Sequence, residues 1–304
     1  MNCLVCYGNQ KDSHLKCLKS FFGTKKQPLM DYSLNDLNQL AKKLIQSKRG
    51  IPGVQPKLSL HLDQNKKERF TLVGLEGDFI LKPPTKQFHQ LPENEDLSMH
   101  LAEICGINVV PHTLIKLKSG ELAYLTKRID RMDGIKLHME DMCQISGNLT
   151  EDKYRGSMEK IGKLIFKYSS LKGLDLISFF EITLFSYLIG NSDIHLKNFS
   201  LIKYKKDYVL SPAYDLLSVK LVLPEDKEEM ALTLNGKKNK LNKKDFFIFG
   251  ESIYLSPKTI QNTFDRFKIK LPFLKDFIQI SFLEDTSKSK YIELLNERFK
   301  IFDN

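Results

Sequence analysis

Asp193, Asn198 and Asp215 are the residues of this chain whose types and spacing best suit chemistry. Gly190-Asn191-Ser192-Asp193-Ile194-His195-Leu196-Lys197-Asn198 follows an apolar segment, Leu174 to Ile189. It precedes two strand-like runs, Phe199 to Tyr204 and Tyr208 to Leu210, and then Ser211-Pro212-Ala213-Tyr214-Asp215. A carboxylate, an amide five residues on and a second carboxylate across a hairpin meet the needs of phosphoryl transfer from ATP. Asp193 could accept the proton of an attacking hydroxyl, while the oxygens of Asn198 and Asp215 could hold Mg²⁺. Taken singly, each residue has an ordinary role as helix end, turn cap or surface carboxylate. The combination is the more specific signal.

The elements around these residues suit the same chemistry. Ser33 to Gln46 has leucines at helical spacing with Ser33 as N-cap. Arg49-Gly50-Ile51-Pro52-Gly53-Val54-Gln55-Pro56-Lys57 is a glycine-containing loop able to bring backbone N–H groups to phosphates, and strands are expected at 58–62, 70–73 and 78–82. Lys82 ends the third strand, where a kinase carries the lysine that grips the α- and β-phosphates. A helix capped by Asn94 and ended by Gly106 follows, and Glu95 in its first turn is the expected partner of Lys82. Val109 to Leu117 and Glu121 to Ile129 read as a hairpin whose end, Lys127-Arg128-Ile129, would offer backbone groups to adenine. From about residue 133 the pattern turns helical. Leu176 to Ile189 reads as a buried central helix, and three more helices are expected near 257–267, 273–282 and 288–302.

Composition fits a folded protein of one or two domains, at 304 residues with 41% hydrophobic and 10% aromatic content. No apolar run is long enough to span a bilayer, no signal peptide is evident, and five cysteines make no disulfide framework, so a reducing cytoplasm is the expected setting. Lys plus Arg number 47 against 37 Asp plus Glu, a net charge of +10 that favours polyanionic partners such as ATP. The densest basic run, Lys237 to Lys244, lacks aromatic interleaving and reads as a solvated loop rather than a DNA contact. Near the start, Cys3, Cys6, His14 and Cys17 form two close pairs of soft ligands. They are a candidate Zn²⁺ knuckle, or else reduced thiols packed in a short cap.

Gly53-Val54-Gln55-Pro56-Lys57-Leu58-Ser59, Asp193-Ile194-His195-Leu196-Lys197-Asn198-Phe199-Ser200 and Ala213-Tyr214-Asp215 together resemble the HipA family of toxin kinases. So do Asn94-Glu95, Arg128-Ile129-Asp130-Arg131 and Glu140-Asp141-Met142-Cys143-Gln144. The likeness runs from about residue 45 to the C-terminus. It implies an α+β, bilobal, protein-kinase-like fold, with a β-rich N-lobe over 26–132 and a helical C-lobe over 133–304 following the Cys/His cap read over 1–25. It also implies a serine/threonine kinase acting as the toxin of a bacterial toxin–antitoxin module, inhibiting translation by phosphorylating an aminoacyl-tRNA synthetase.

Under the resemblance Asp193 is the catalytic base, with His195 and Lys197 in the catalytic loop and Asn198 and Asp215 as Mg²⁺ ligands. Gly53, Val54, Gln55, Lys57, Lys82 and Glu95 would serve the nucleotide, and Lys127 and Ile129 would contact adenine through their backbone. The implied partners are a small HipS-like protein, as for the shorter HipT-like members, and a HipB-like helix-turn-helix antitoxin through which any DNA contact would be indirect. No membrane partner is implied. Two departures stand out. No hydroxyl occupies Arg49 to Pro52, where family members often carry a regulatory serine, and the chain reaches its glycine loop by residue 50. A small-molecule kinase and a non-catalytic pseudokinase binding module are the competing readings.

Overall fold

A computed structural model describes residues 2–9, 14–46, 55–63, 68–74, 76–132 and 134–303. The chain divides into two compact units. One comprises Met1–Leu97, Val110–Arg131 and Ile280–Leu283; the other comprises Ser98–Val109, Met132–Gln279 and Glu284–Asn304.

The first unit is built on a five-stranded antiparallel sheet. Helices Leu15–Phe22 (α1) and Leu34–Gln46 (α2) precede strands Leu58–Asp63 (β1), Arg69–Leu72 (β2) and Phe79–Lys82 (β3). The helix Leu91–Ile104 (α3) follows, and then the hairpin His112–Lys116 (β4) and Leu122–Lys127 (β5); the sheet order is β2-β1-β3-β5-β4. Alternating apolar residues on the strands meet the apolar faces of α1 and α2 in one core. Phe21 and Phe22 of α1 reach Phe79 and Phe70, and Phe70 meets Phe79 edge-on at 5.3 Å. The N-terminal segment thus shares the core of the sheet. Ser33 and Asp36 cap α2 reciprocally, as expected from Ser33. One boundary differs from expectation: α3 begins at Leu91, and Asn94 lies inside its first turn, with its N–H on the Gln90 carbonyl, instead of capping it.

The second unit is mainly helical. Short strands Arg131–Met132 (β6) and Ile135–Lys136 (β7) pair with each other at its start, and Met139–Asp141 (β8) leads into the single turn Met142–Ile145 (α4). Met158–Tyr168 (α5) and Lys172–Leu188 (α6) follow, then the hairpin Ser200–Tyr204 (β9) and Asp207–Leu210 (β10), with β8 completing a three-stranded sheet beside β9. Val219–Val222 (α7), Lys243–Ser252 (α8), Pro257–Lys268 (α9), Leu271–Gln279 (α10) and Asp285–Arg298 (α11) complete the unit.

As its sequence requires, α6 is apolar nearly all round and buried along most of its length. Phe179 packs edge-on against Phe199 at 5.0 Å, and Phe180 stacks on Phe249. The basic run at 237–244 differs from a plain loop. Asn242 and Asp245 form a capping box that starts α8, and Lys237 pairs with the buried Asp245 at 2.8 Å. Among the described residues, no helix is long and apolar enough to cross a membrane.

Candidate functional site

The end of α6 sets up the central loop. Gly190 takes φ +68°, and a Cβ there would come within 2.9 Å of Leu294 and Lys220, so the turn demands glycine. Beyond it, Ile194, Leu196 and Phe199 are buried and anchor the loop, while Asp193 is exposed and Lys197 half-buried. Leu196 N–H donates to the Lys153 carbonyl at 3.2 Å, which ties the loop to the segment before α5.

That segment carries Tyr154, which the sequence reading missed. Its hydroxyl donates to Asp193 Oδ1 at 2.8 Å, and its ring meets His195 edge-on at 5.2 Å. Burial, followed by the hydrogen bond to the Asp193 carboxylate, raises the Tyr154 phenol well above its ordinary range, so it stays a donor at neutral pH. His195 lies inside the loop. Burial chiefly, with Lys153 nearby, lowers its pKa against the opposing charges of Asp193 and Asp215, which favours the neutral imidazole. Its Nδ1 is buried and has no hydrogen-bond partner among the described residues.

Asn198 and Asp215 come together. The His195 N–H donates to Asn198 Oδ1 at 2.8 Å, and Asn198 Nδ2 lies 3.5 Å from Asp215 Oδ2. Tyr214 fixes this approach, because its hydroxyl donates to the Lys197 carbonyl at 2.9 Å and lies 2.6 Å from Ser200 Oγ. A β-bridge between Val109 and Ala213 steadies the same segment, and Asp215 adopts φ +60°, a left-handed conformation that Asp tolerates better than most residues. Lys197 Nζ pairs with Asp141 Oδ2 at 2.6 Å, and Asp141 also accepts from the Gln144 N–H as N-cap of α4. Asp141 is a cap and the partner of the loop lysine.

These donors suit a hard divalent cation. Asp215 offers carboxylate oxygens, and Asn198 Oδ1, although engaged by the His195 N–H, retains a second lone pair. The amide nitrogen now facing Asp215 cannot be a ligand, so Asn198 must turn its oxygen toward the carboxylate to share a cation with it.

In the first unit, Lys82 Nζ and Glu95 Oε1 lie 2.5 Å apart with both side chains buried, and Lys82 Nζ also sits 5.4 Å over the Tyr124 ring. Next to Glu95, Asp96 takes hydrogen bonds at 2.7 Å from Tyr7 Oη and from His112 Nδ1. Gln55 Nε2 donates to the Pro83 carbonyl at 2.9 Å, and Lys57 immediately precedes β1. Gly53 and Val54, with the rest of the expected glycine loop back to Arg49, lie outside the described residues. Of the expected adenine contacts, the Lys127 N–H is already taken by the Pro111 carbonyl, and Ile129 is half-buried beyond the end of β5.

Cys3, Cys6, His14 and Cys17 also converge, with one ligand atom from each lying within 4.8 Å of the others. Burial works against ionising Cys3, but hydrogen bonds from the backbone of His14, Val5 and Cys6 bring its thiol below the ordinary value. Burial, with the adjacent thiols, pushes Cys17 up to about 12.

The chain has relatives among known proteins. Residues 50–272 match the model of the HipA-like C-terminal domain. A Sinorhizobium fredii candidate kinase, Y4dM, is 33% identical over 72% of this chain, which spans 58% of that protein's length. A Haemophilus influenzae candidate kinase is 31% identical over 69% of this chain and 68% of its own length. The serine/threonine-protein kinase toxin HipA of Shewanella oneidensis is 28% identical over 56% of this chain and 43% of its own. Among solved structures, the Shewanella oneidensis HipA–HipB–operator DNA complex matches with a TM-score of 0.71 at 22% identity, covering 86% of this chain and 70% of that one. The Helicobacter pylori proinflammatory kinase CtkA matches at 0.58 and 17% identity, covering 84% of this chain and 92% of that one. At these identities the structural matches establish a kinase-like fold.

Proposed function

This chain belongs to the HipA-like C-terminal domain family, and we propose that it is an ATP-dependent serine/threonine protein kinase serving as the toxin of a bacterial toxin–antitoxin module. The observation that carries the reading is that one short loop presents Asp193 and brings Asn198 within 3.5 Å of Asp215. Tyr154 holds one oxygen of the base, and Tyr214 ties the loop of Asn198 to that of Asp215.

In this reading Asp193 accepts the proton of a serine or threonine hydroxyl as its oxygen bonds to the terminal phosphorus of ATP and the bond to ADP breaks. Tyr154 engages Oδ1 and leaves Oδ2 to face the hydroxyl. Asn198 and Asp215 would hold Mg²⁺, which when bound neutralises charge on the phosphates. Lys82, oriented by Glu95, would bind the α/β-phosphates. His195 lies buried inside the loop with its imidazole neutral, and its backbone N–H holds Asn198 Oδ1 until the amide turns toward a cation. An aminoacyl-tRNA synthetase is the candidate substrate, and a HipB-like antitoxin and a small HipS-like protein are the candidate partners, within the cytoplasm.

Incubation with γ-labelled ATP and a lysate of the native host tests the reading. Label is expected in a protein band, on serine or threonine. Label confined to small molecules would instead support a small-molecule kinase, and no transfer would support a pseudokinase.

A further inference from the structure

The nucleotide chemistry leaves the N-terminal cysteines without a role, yet they are the most metal-like constellation among the described residues. Cys3 and Cys6 lie on a tight turn. Cys3 N–H donates to the Gly8 carbonyl and Tyr7 N–H to the Cys3 carbonyl, both at 2.9 Å, and Asn2 bridges Asn9 to close the turn. His14 immediately precedes α1, and Cys17 lies on its first turn. Residues from two separate pieces of chain thus face one point.

The distances fit a tetrahedral ion. Bonds of about 2.3 Å to sulfur and 2.0–2.1 Å to nitrogen put S and N about 3.6 Å apart across a tetrahedral edge. His14 Nδ1 lies 3.1 Å from Cys6 Sγ and 3.6 Å from Cys17 Sγ. The surroundings are shaped to the cluster. A Cβ on Gly8 would come within 2.8 Å of His14 Cε1 and 3.4 Å of Cys6 Sγ, so only glycine lets the imidazole in. All three cysteines are unpaired by disulfides.

We propose that Cys3, Cys6, His14 through Nδ1, and Cys17 bind one structural Zn²⁺. Three thiolates and an imidazole select a soft or borderline ion over Mg²⁺ or Ca²⁺, and four protein ligands leave no open position for catalysis. The metal clips the Cys3–Cys6 turn to α1, whose Phe21 and Phe22 enter the core of the sheet. It also fixes the next residue, Tyr7, at the left-handed φ of +57° from which its hydroxyl reaches Asp96, the neighbour of Glu95. The metal site does not depend on the kinase reading, and its test does not use phosphoryl transfer.

The experiment is metal analysis of the full chain purified under reducing conditions, with cobalt replacement and thermal melting. One zinc per chain is expected. Replacement by Co²⁺ should give thiolate-to-cobalt charge transfer and the intense visible absorption of a tetrahedral site. Cys6→Ser, at an exposed position, and His14→Ala should each lower zinc affinity at least about ten-fold, and chelation of the wild type should lower its melting temperature. Should a variant fail to fold, release of one equivalent of zinc from the wild type to a chromophoric chelator gives the same answer. A reduced wild-type chain that takes up neither zinc nor cobalt would overturn the proposal. So would full zinc content in the Cys6→Ser, His14→Ala double variant.

Discussion

The two units each hold a lysine–carboxylate pair, and they hold them differently. Lys82 and Glu95 are sealed, with 7% and 2% of their side chains exposed. Lys197 and Asp141 are looser, at 30% and 14%. Charges buried as deeply as the first pair lose most of their hydration, so removing either partner is costly. The second pair keeps solvent, so its lysine can leave Asp141 for another anion at small cost. The contrast suggests a fixed grip in the first unit and a movable one in the second.

The largest expected effect belongs to neither pair. Asp193→Asn should cut phosphoryl transfer by on the order of 10²–10⁴ through loss of the base while leaving Mg·ATP affinity within about two-fold, as nucleotide titration would show. Asp215→Ala should lose both turnover and Mg·ATP affinity. Equal nucleotide affinity in the two variants would mean that the two carboxylate roles are misassigned.

The pairs themselves come next. Glu95→Ala removes the carboxylate beside a buried ammonium and should destabilise the first unit by about 3–5 kcal/mol, read by chemical denaturation. Lys197→Ala should cost at most about 1 kcal/mol, since a partly solvated pair contributes little to stability. Similar losses in both variants would erase the distinction drawn between the pairs. Asp141 refines it further. Asp141→Asn keeps an N-cap for α4 but loses the ion pair, whereas Asp141→Ala loses both and should be less stable by about a further 1 kcal/mol.

The smallest effect is at Tyr154. Tyr154→Phe removes one hydrogen bond to the base and should lower kcat by roughly five-fold, about 1 kcal/mol, with KM for ATP unchanged. A change in KM instead would mean that Tyr154 acts on the nucleotide and not on Asp193.

Much of this arrangement was legible in the chain itself. The alternation in Leu58–Asp63 and Phe79–Lys82, the apolar run of α6 and the hairpin between Asn198 and Asp215 are local patterns, and local patterns survive folding. Lys82 at a strand end and Glu95 in the first turn of the next helix could be paired by analogy with the lysine–glutamate pair of protein kinases. Tyr154 could not, because it lies 39 residues before Asp193 in an irregular segment with no periodicity, and only tertiary packing brings it to the carboxylate. The start of α3 moved to Leu91 because Gln90 supplies a carbonyl for Asn94 there, which outweighs Asn94's own preference for a cap. The lysine run at 237–244 concealed the start of α8, since charge dominated the reading of Asn242 and Asp245, whose three-residue spacing is a capping box.

The account depends most on Asp193 as a base acting on a bound nucleotide. The most direct measurement pairs calorimetric titration of Mg·ATP with transfer of γ-labelled phosphate to protein, on the purified wild-type chain and on Asp193→Asn. The account predicts that both proteins bind Mg·ATP and that only the wild type transfers label. Transfer undiminished in Asp193→Asn, or no Mg·ATP binding by the wild type, would contradict it.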